Sequence, residues 1–160
     1  LNDEYYDRIE AIQFTMNHDD GNLLNEIDKS DIILVGVSRT SKTPTSIYLA
    51  NRGFKTSNIP LVNEKSIPTK VTSKNFSPCV VGLVTEAERL YDLRKNRLTS
   101  LKEDQNSEYV NIEKIKDELN SARKIFKENN WPMIDVTRKS VEETAASVIK
   151  IYEIKNKKNA

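Results

Sequence analysis

The stretch that decides the fold is residues 31–50, which read DIILVGVSRTSKTPTSIYLA. Residues 31–37 form a short run rich in β-branched side chains, a pattern typical of a strand buried on both faces of a parallel sheet. A polar loop over residues 38–43 follows, and a helical segment then runs to Gly53, a glycine that we expect to end the helix. The order of strand, loop and helix predicts one unit of an α/β fold.

The rest of the chain alternates between helical and strand periodicity in the same way. Apolar spacing predicts further helices at residues 4–16, at 85–101, from 112 to the Trp131-Pro132 break, and from 140 onwards to a frayed end over 155–159. Short apolar runs predict further strands at residues 59–62, 80–84 and 133–136. We therefore predict one domain over residues 1–160, an α/β fold whose mainly parallel sheet is flanked by helices.

Composition excludes several classes of protein. The 160 residues carry 25 Lys and Arg against 24 Asp and Glu, a formal net charge of +1, which gives no global basic field for nucleic-acid binding. The longest apolar runs fall far short of the roughly 20 residues that span a bilayer, so no membrane association is expected. The single cysteine, Cys79, excludes an intramolecular disulfide, fits a reducing cytoplasm and is expected to be a buried apolar residue.

The loop after the first strand has the spacing of a Walker A phosphate-binding loop, with Ser41 where the second glycine usually stands. A strand before it and a helix N-terminus after it are the context that such a loop needs. Lys42 is expected to reach a phosphate, Thr43 to bind Mg²⁺ and Arg39 to add a planar phosphate donor. The alternative is a turn rich in Ser and Thr that only caps the helix. The candidate residues are Gly36, Val37, Ser38, Arg39, Thr40, Ser41, Lys42 and Thr43.

An acidic turn, His18-Asp19-Asp20-Gly21, is the second candidate. Its two carboxylates beside the only histidine are suited to binding a metal ion, or one of them to acting as a general base toward a hydroxyl group. A solvated turn after a helix explains the same residues equally well, because glycine supplies a positive φ there.

Three arginines form the third group of candidates. On a helix over residues 86–101, Arg94 and Arg97 fall inside the apolar stripe, where a guanidinium needs an anionic partner or must extend its head to water. Arg138 follows the last predicted strand, at the kind of strand end where ligands of α/β sheets bind. In that strand, Asp135 is expected to orient a basic group, to hold metal-bound water or simply to cap the sheet end.

Residues 36–50 resemble one family, the regulatory proteins of pyruvate, phosphate dikinase and phosphoenolpyruvate synthase, which are bifunctional serine/threonine kinases and phosphorylases. The resemblance extends over essentially the whole chain, through residues 8–12, 18–21, 58–62, 81–83, 94–98, 134–137 and 142–145. Ser41 is the residue that this family carries in the loop. Members have an additional N-terminal domain, so the resemblance implies that residues 1–160 are a P-loop-containing C-terminal catalytic domain.

This resemblance implies a specific reaction and specific partners. The kinase direction transfers the β-phosphoryl group of ADP to a threonine of the dikinase, or of the synthase, and leaves AMP and an inactive enzyme. The reverse direction uses inorganic phosphate to remove that group and releases pyrophosphate. Mg²⁺ is the expected metal, a homodimer the expected assembly and the cytoplasm the expected location.

The resemblance and the residue chemistry together assign expected roles. Lys42 and the loop amides hold the transferred phosphoryl group, and Thr43 and Asp20 place Mg²⁺. Asp20 or Asp19, beside His18, orients the threonine hydroxyl. Charge on the phosphate oxygens is stabilised by Arg39, Arg94, Arg97 and Arg138. Two other readings stay open: a kinase that phosphorylates a small metabolite from ATP, and a module that binds ADP without catalysis.

Overall fold

A four-stranded parallel sheet forms the centre of the computed structural model, which describes residues 3–18, 24–37, 39–61, 66–73, 76–101 and 111–158. Its strands are β1 (Ile32–Gly36), β2 (Thr56–Pro60), β3 (Cys79–Val84) and β4 (Met133–Asp135). They are arranged in the order β2-β1-β3-β4, and every pairing is parallel. The chain leaves β1 toward β2 on one side and reaches β3 on the other, so the carboxyl end of β1 lies where the strand order reverses. Open α/β sheets bind ligands at such a point.

In the part of the chain that the structure describes, five helices flank this sheet. They are α1 (Asp3–Asn17), α2 (Lys42–Asn51), α3 (Ala87–Leu101), α4 (Ile112–Glu128) and α5 (Val141–Lys158), with 3₁₀ turns at Leu24–Lys29 and Thr69–Thr72. Within the described ranges, no helix is long and apolar enough to cross a membrane. The predicted α/β architecture with a parallel sheet between helices is confirmed.

Alternate side chains of β1 and β3 enter two separate apolar cores. Ile33 and Val35 of β1 face the core that is completed by α3 and α4, whereas Ile32 and Leu34 face the core that is completed by α2 and α5. In a parallel sheet that is covered by helices on both faces, successive side chains of a strand point to opposite faces and both sets are buried. Cys79 lies in the second core, as predicted, and burial raises the pKa of its thiol.

The strand that departs most from prediction is β2. It begins at Thr56, three residues before the predicted start, because Thr56, Ser57 and Asn58 are buried although they are polar. Each of them has a polar partner: the Thr56 amide donates to the Thr15 hydroxyl, for example, and the Ser57 hydroxyl lies 2.6 Å from that of Ser30. Their hydrogen bonds offset the cost of burial, which a search for apolar runs does not register.

The end of α5 corrects another expectation. The prediction that residues 155–159 fray is wrong as far as Lys158, to which the helix extends, and Asn159 lies outside the described residues. Its Lys155 ammonium donates to the carbonyl oxygens of Ser77 and Pro78, at 3.0 and 2.7 Å, and so ties the helix to the segment before β3. At the other end of α5, the Ser140 hydroxyl caps the helix: it accepts from the Glu143 amide at 3.1 Å and donates to the Glu143 carboxylate at 3.3 Å.

Candidate phosphate-binding site

The loop between β1 and α2 begins at a glycine that cannot be replaced without displacing a neighbour. A Cβ on Gly36 would lie 2.7 Å from the Thr40 hydroxyl oxygen and 3.0 Å from the Leu83 carbonyl oxygen. The loop therefore folds back tightly over the end of its own strand and against β3. This close approach explains the glycine at the first position of the motif.

Two residues of the loop have the left-handed backbone conformation that glycine adopts most easily. Arg39 has φ of 70° and Ser41 has φ of 63°. Ser41 is the position at which a Walker A motif carries its second glycine, so the loop keeps the conformation and accepts the strain of a serine. Left-handed residues within a turn allow backbone N–H groups to converge on one point, which is how anion-binding concavities form.

The side chains of Thr40 and Lys42 close the loop. The Thr40 hydroxyl donates to the carbonyl oxygen of Val37 at 2.8 Å, and the Lys42 ammonium donates to the same oxygen at 2.9 Å. Thr40 is fully buried, and Lys42 is only 6% exposed. The ammonium is thus held within the loop, at the N-terminus of α2, rather than extended into solvent.

A cleft of about 640 Å³ opens beside this loop. Its described lining combines polar and cationic residues, Arg39, Ser41, Lys42 and Thr43, with apolar ones, Pro44, Pro60 and Leu93. Sequence reasoning predicted the first set and missed the second. Pro60 lay inside the strand predicted over residues 59–62, and Leu93 is indistinguishable from a core residue of an amphipathic helix, so neither gave a signal of the cleft.

The ends of β3 and β4 contribute a hydrogen-bonded cluster to the same edge of the sheet. The Thr137 hydroxyl lies 3.1 Å from that of Thr85, accepts from the Glu86 amide at 2.9 Å and donates to Asp135, which also accepts from the Thr137 amide. Burial raises the pKa of Asp135, but the hydrogen bonds from Thr137 and the nearby positive charges outweigh it and bring that pKa below its usual range. Asp135 thus caps the end of β4, one of the roles expected for it.

The sheet register places Arg138 relative to the loop. Val35 is level with Gly82, and Val84 is level with Asp135, so the loop and the segment that carries Arg138 leave the same edge of the sheet, two strands apart. Neighbouring strands lie about 4.8 Å apart, which makes this separation roughly 10 Å at the strand ends. The Arg138 side chain is exposed there.

The two arginines of α3 have different surroundings. Arg94 is 2% exposed, and its Nη2 atom donates to the Oε2 atom of Glu118 on α4 at 2.8 Å. Arg97 is exposed, in agreement with the alternative that its head reaches water. Among the described residues that line the cleft, α3 contributes Leu93. The buried guanidinium therefore has its anionic partner within the protein, and that partner was invisible to helical periodicity.

His18 lies at the end of α1, beside the edge strand β2. Its Nδ1 atom donates to the Phe14 carbonyl oxygen at 2.8 Å, its ring stacks on Phe14, and its buried Nε2 atom lies 3.7 Å from a carboxylate oxygen of Glu26. The structure thus places His18 among residues of α1 and the following 3₁₀ turn. Asp19, Asp20 and Ser38, which the sequence also proposed, lie outside the described residues.

The oxygen donors among the described residues of the cleft suit a metal ion that is also bound by phosphate. Within the described ranges, no group of three or more His, Cys, Asp or Glu side chains is placed to hold a metal. Mg²⁺ commonly takes one or two protein oxygens and otherwise keeps waters and substrate phosphates. The half-buried Thr43, which lines the cleft, is such an oxygen donor.

Comparison with known proteins agrees with these features. A model of the kinase/pyrophosphorylase family matches residues 1–149. A protein of Pelagibacter ubique is 68% identical over 159 residues, or 99% of this chain and 58% of its own length. Proteins of Sphingopyxis alaskensis and of the Wolbachia of Brugia malayi are 56% and 52% identical, over 96% and 95% of this chain and 56% of their own lengths. All three are provisionally named pyruvate, phosphate dikinase regulatory protein.

The doubly wound parallel sheet, with a cationic cleft at the carboxyl end of its central strand, defines an α/β protein of the kind that binds ligands at the switch point. The chain belongs to the kinase/pyrophosphorylase family. It spans a little over half of the length of the relatives described above.

Proposed function

We propose that this chain is the nucleotide-binding, catalytic part of a regulator that phosphorylates a threonine of pyruvate, phosphate dikinase and also removes that phosphate. The observation that carries the proposal is the Lys42 ammonium, held inside a left-handed loop at the carboxyl end of β1. The family match supports a kinase and pyrophosphorylase reaction, and the names of the relatives support pyruvate, phosphate dikinase as the partner.

In the kinase direction the threonine oxygen forms a bond to the β-phosphorus of ADP. The bond from that phosphorus to the bridging oxygen breaks, AMP leaves, and the threonine proton passes to a base. In the opposite direction an oxygen of inorganic phosphate attacks the phosphothreonine phosphorus, pyrophosphate forms, and the threonine oxygen regains a proton. Neither direction requires a covalent enzyme intermediate, so positioning and charge neutralisation supply the catalysis.

The described residues have the chemistry for these tasks. Lys42 and the loop amides would hold the phosphoryl group, with Arg39 as an exposed cation at the loop and Arg138 as a further cation at the same sheet edge. Thr43 would hold Mg²⁺, which neutralises phosphate charge when it is bound. Arg94, which is paired with Glu118, and Arg97, which is exposed, would also stabilise charge on the phosphate oxygens.

The acidic turn after α1 is proposed to supply the base. Asp20, or Asp19, would orient the threonine hydroxyl and accept its proton. Asp20→Asn should then preserve ADP affinity and abolish transfer. Weakened ADP binding with retained transfer would assign the turn to the nucleotide instead.

The proposal is tested by incubating the purified protein with the dikinase and ADP that carries a radioactive β-phosphate, and then with inorganic phosphate. We expect label on a dikinase threonine, followed by labelled pyrophosphate. Lys42→Ala should lower transfer by about 100-fold or more, as the loss of other charge-stabilising donors does. Lys150→Ala, which removes an exposed lysine of α5, is the matched control.

The two other hypotheses, a metabolite kinase and a non-catalytic module, predict different results in the same assay. Near-normal transfer by Lys42→Ala would reject the assigned site. Transfer from the γ-position of ATP to a small metabolite, without label on the dikinase, would indicate a metabolite kinase. Binding of ADP without transfer to any acceptor would indicate a non-catalytic module. Replacing the dikinase with phosphoenolpyruvate synthase decides which enzyme is the partner.

A further inference from the structure

The cleft beside the loop has apolar lining residues that phosphate chemistry does not use. Pro44 comes from the first turn of α2, Pro60 from the last position of β2 and Leu93 from the middle of α3, so three separate elements bring apolar side chains to one opening. Pro60 and Leu93 are half-buried and Pro44 is exposed. Their apolar surface thus remains available within the cleft.

We infer that Pro44, Pro60 and Leu93 form the surface on which the nucleoside of a bound nucleoside diphosphate packs. This inference rests on the proposed binding of phosphate by the loop. A lining that combines cationic loop residues with apolar side chains matches the two parts of such a ligand, a charged diphosphate and a flat base on a ribose. Covering these side chains with a base removes apolar surface from water, which favours binding by about 25 cal/mol for each Å² that is buried.

The size and construction of the cleft support the same occupant. Pockets for small ligands span roughly 300–1,000 Å³ and combine apolar walls with a few placed polar groups. The cleft of about 640 Å³ lies within that range, and its described polar lining residues all come from the loop and the first turn of α2. An inorganic diphosphate has no apolar part that would cover Pro44, Pro60 and Leu93.

Because pyrophosphate lacks the nucleoside, comparing it with ADP separates the contribution of the nucleoside from that of the diphosphate. Isothermal titration calorimetry with ADP and with pyrophosphate, each with Mg²⁺, measures the two affinities for the wild-type protein and for Leu93→Ala. We expect Leu93→Ala to weaken ADP binding by about 3- to 10-fold, since each lost CH₂ contact is worth up to about 0.8 kcal/mol. Pyrophosphate affinity should stay within about 2-fold, and Leu93→Met should retain most of the ADP affinity.

Matched controls keep the result interpretable. Ile47 is 45% exposed on α2 but does not line the cleft, so Ile47→Ala should bind both ligands as the wild type does. Thermal unfolding of each variant confirms that the fold persists. Pro60→Ala, which removes a second part of the apolar surface, should weaken the binding of ADP but not that of pyrophosphate.

The remaining outcomes overturn the inference. If Leu93→Ala weakens both ligands equally, Leu93 acts through the loop and not on the nucleoside. If it leaves both affinities unchanged but raises the KM for the dikinase, the apolar surface receives the protein substrate. If the wild-type protein binds neither ligand, the proposed phosphate site itself fails, a result distinct from the first two.

Discussion

The Nζ atom of Lys42 lies 2.9 Å from the carbonyl oxygen of Val37, so the cation at the start of α2 bonds back to the residue that follows β1. The same oxygen also accepts a hydrogen bond from the Thr40 hydroxyl. A buried ammonium is costly unless its hydrogen bonds are made, and this one makes at least that bond. These two hydrogen bonds hold Thr40 and Lys42 to Val37, and a cation that is held in place lowers the entropic cost of binding phosphate.

We predict that Lys42→Met separates ligand binding from stability. Methionine keeps most of the apolar stem, and the Val37 carbonyl remains bonded to Thr40, so the free energy of unfolding should change by no more than about 1 kcal/mol. Affinity for pyrophosphate should fall by about 30-fold or more, because the charge is lost. Urea unfolding and calorimetry measure the two quantities. A loss of several kcal/mol in stability with intact affinity would show that Lys42 serves the fold.

We predict that Ser41→Gly stabilises the protein. A serine with φ of 63° is strained by about 1–2 kcal/mol, and glycine removes that strain at an entropic cost of about 0.4–1 kcal/mol in the unfolded chain. The Ser41 side chain makes no capping hydrogen bond that would be lost. The net gain in the free energy of unfolding, measured with urea, should be about 0.5–1 kcal/mol.

The control for this change is Ser147→Gly, which places glycine in the interior of α5. It should destabilise the protein by about 0.5 kcal/mol or more, since glycine is the poorer helix former, the hydrogen bond from the Ser147 hydroxyl to the Glu143 carbonyl is lost and no strain is relieved there. Ser41→Val, with a β-branched side chain in the left-handed region, should be the least stable of the loop variants. Equal effects of glycine at both positions would contradict the strain assigned to Ser41.

The unit over residues 31–53 was predictable because its signals are local. The β-branched run gave β1 to within one residue at each end, and Gly53, with φ of 94°, follows the last turn of α2 as expected. Local signals also gave the Ser140 cap of α5. The described site residues of the loop, a set that leaves out Ser38, lie together at the carboxyl end of β1 for the same reason: strand, loop and helix are consecutive in the sequence.

What the sequence could not reveal depends on partners far away along the chain. The buried polar start of β2 relies on Thr15 and Ser30, residues of other segments. The pairing of Arg94 joins residues that are 24 positions apart on two helices. Leu93 reaches the cleft only because α3 packs near the end of β2. Periodicity predicts which residues face inward, but it does not predict what they meet there.

We predict that the ion pair between Arg94 and Glu118 stabilises the contact of α3 with α4. Glu118→Ala leaves a guanidinium that is 2% exposed without this carboxylate, and should lower the free energy of unfolding by about 1.5–3 kcal/mol. Replacing both partners by apolar residues, Arg94→Met with Glu118→Leu, should recover much of that loss. A double-mutant cycle by urea unfolding gives the coupling energy.

The exposed pair of Lys124 and Glu128 is the matched control on α4. Its atoms are 4.0 Å apart and both side chains are more than half exposed, so Glu128→Ala should cost less than about 0.5 kcal/mol. A coupling energy for Arg94 and Glu118 as small as that of the control would argue against the ion pair as the structural role of Arg94. It would favour a role toward phosphate.

The cap formed by Asp135 at the end of β4 makes stability depend on pH, because its pKa is lowered from the ordinary value of 3.8. The unfolded chain binds the proton first as pH falls, so the carboxylate stabilises the fold fully above pH 3.8 and progressively less as pH drops through the folded pKa.

Asp135→Asn should be less stable than the wild type by about 0.5 kcal/mol near neutral pH, a small effect since solvent screens this exposed group. Urea unfolding between about pH 7 and pH 3 should show that difference shrinking below about pH 4. Asp117→Asn, at an exposed acid of α4, is the control. A difference between Asp135→Asn and the wild type that stays constant over this range would mean that the carboxylate charge does not contribute to the cap.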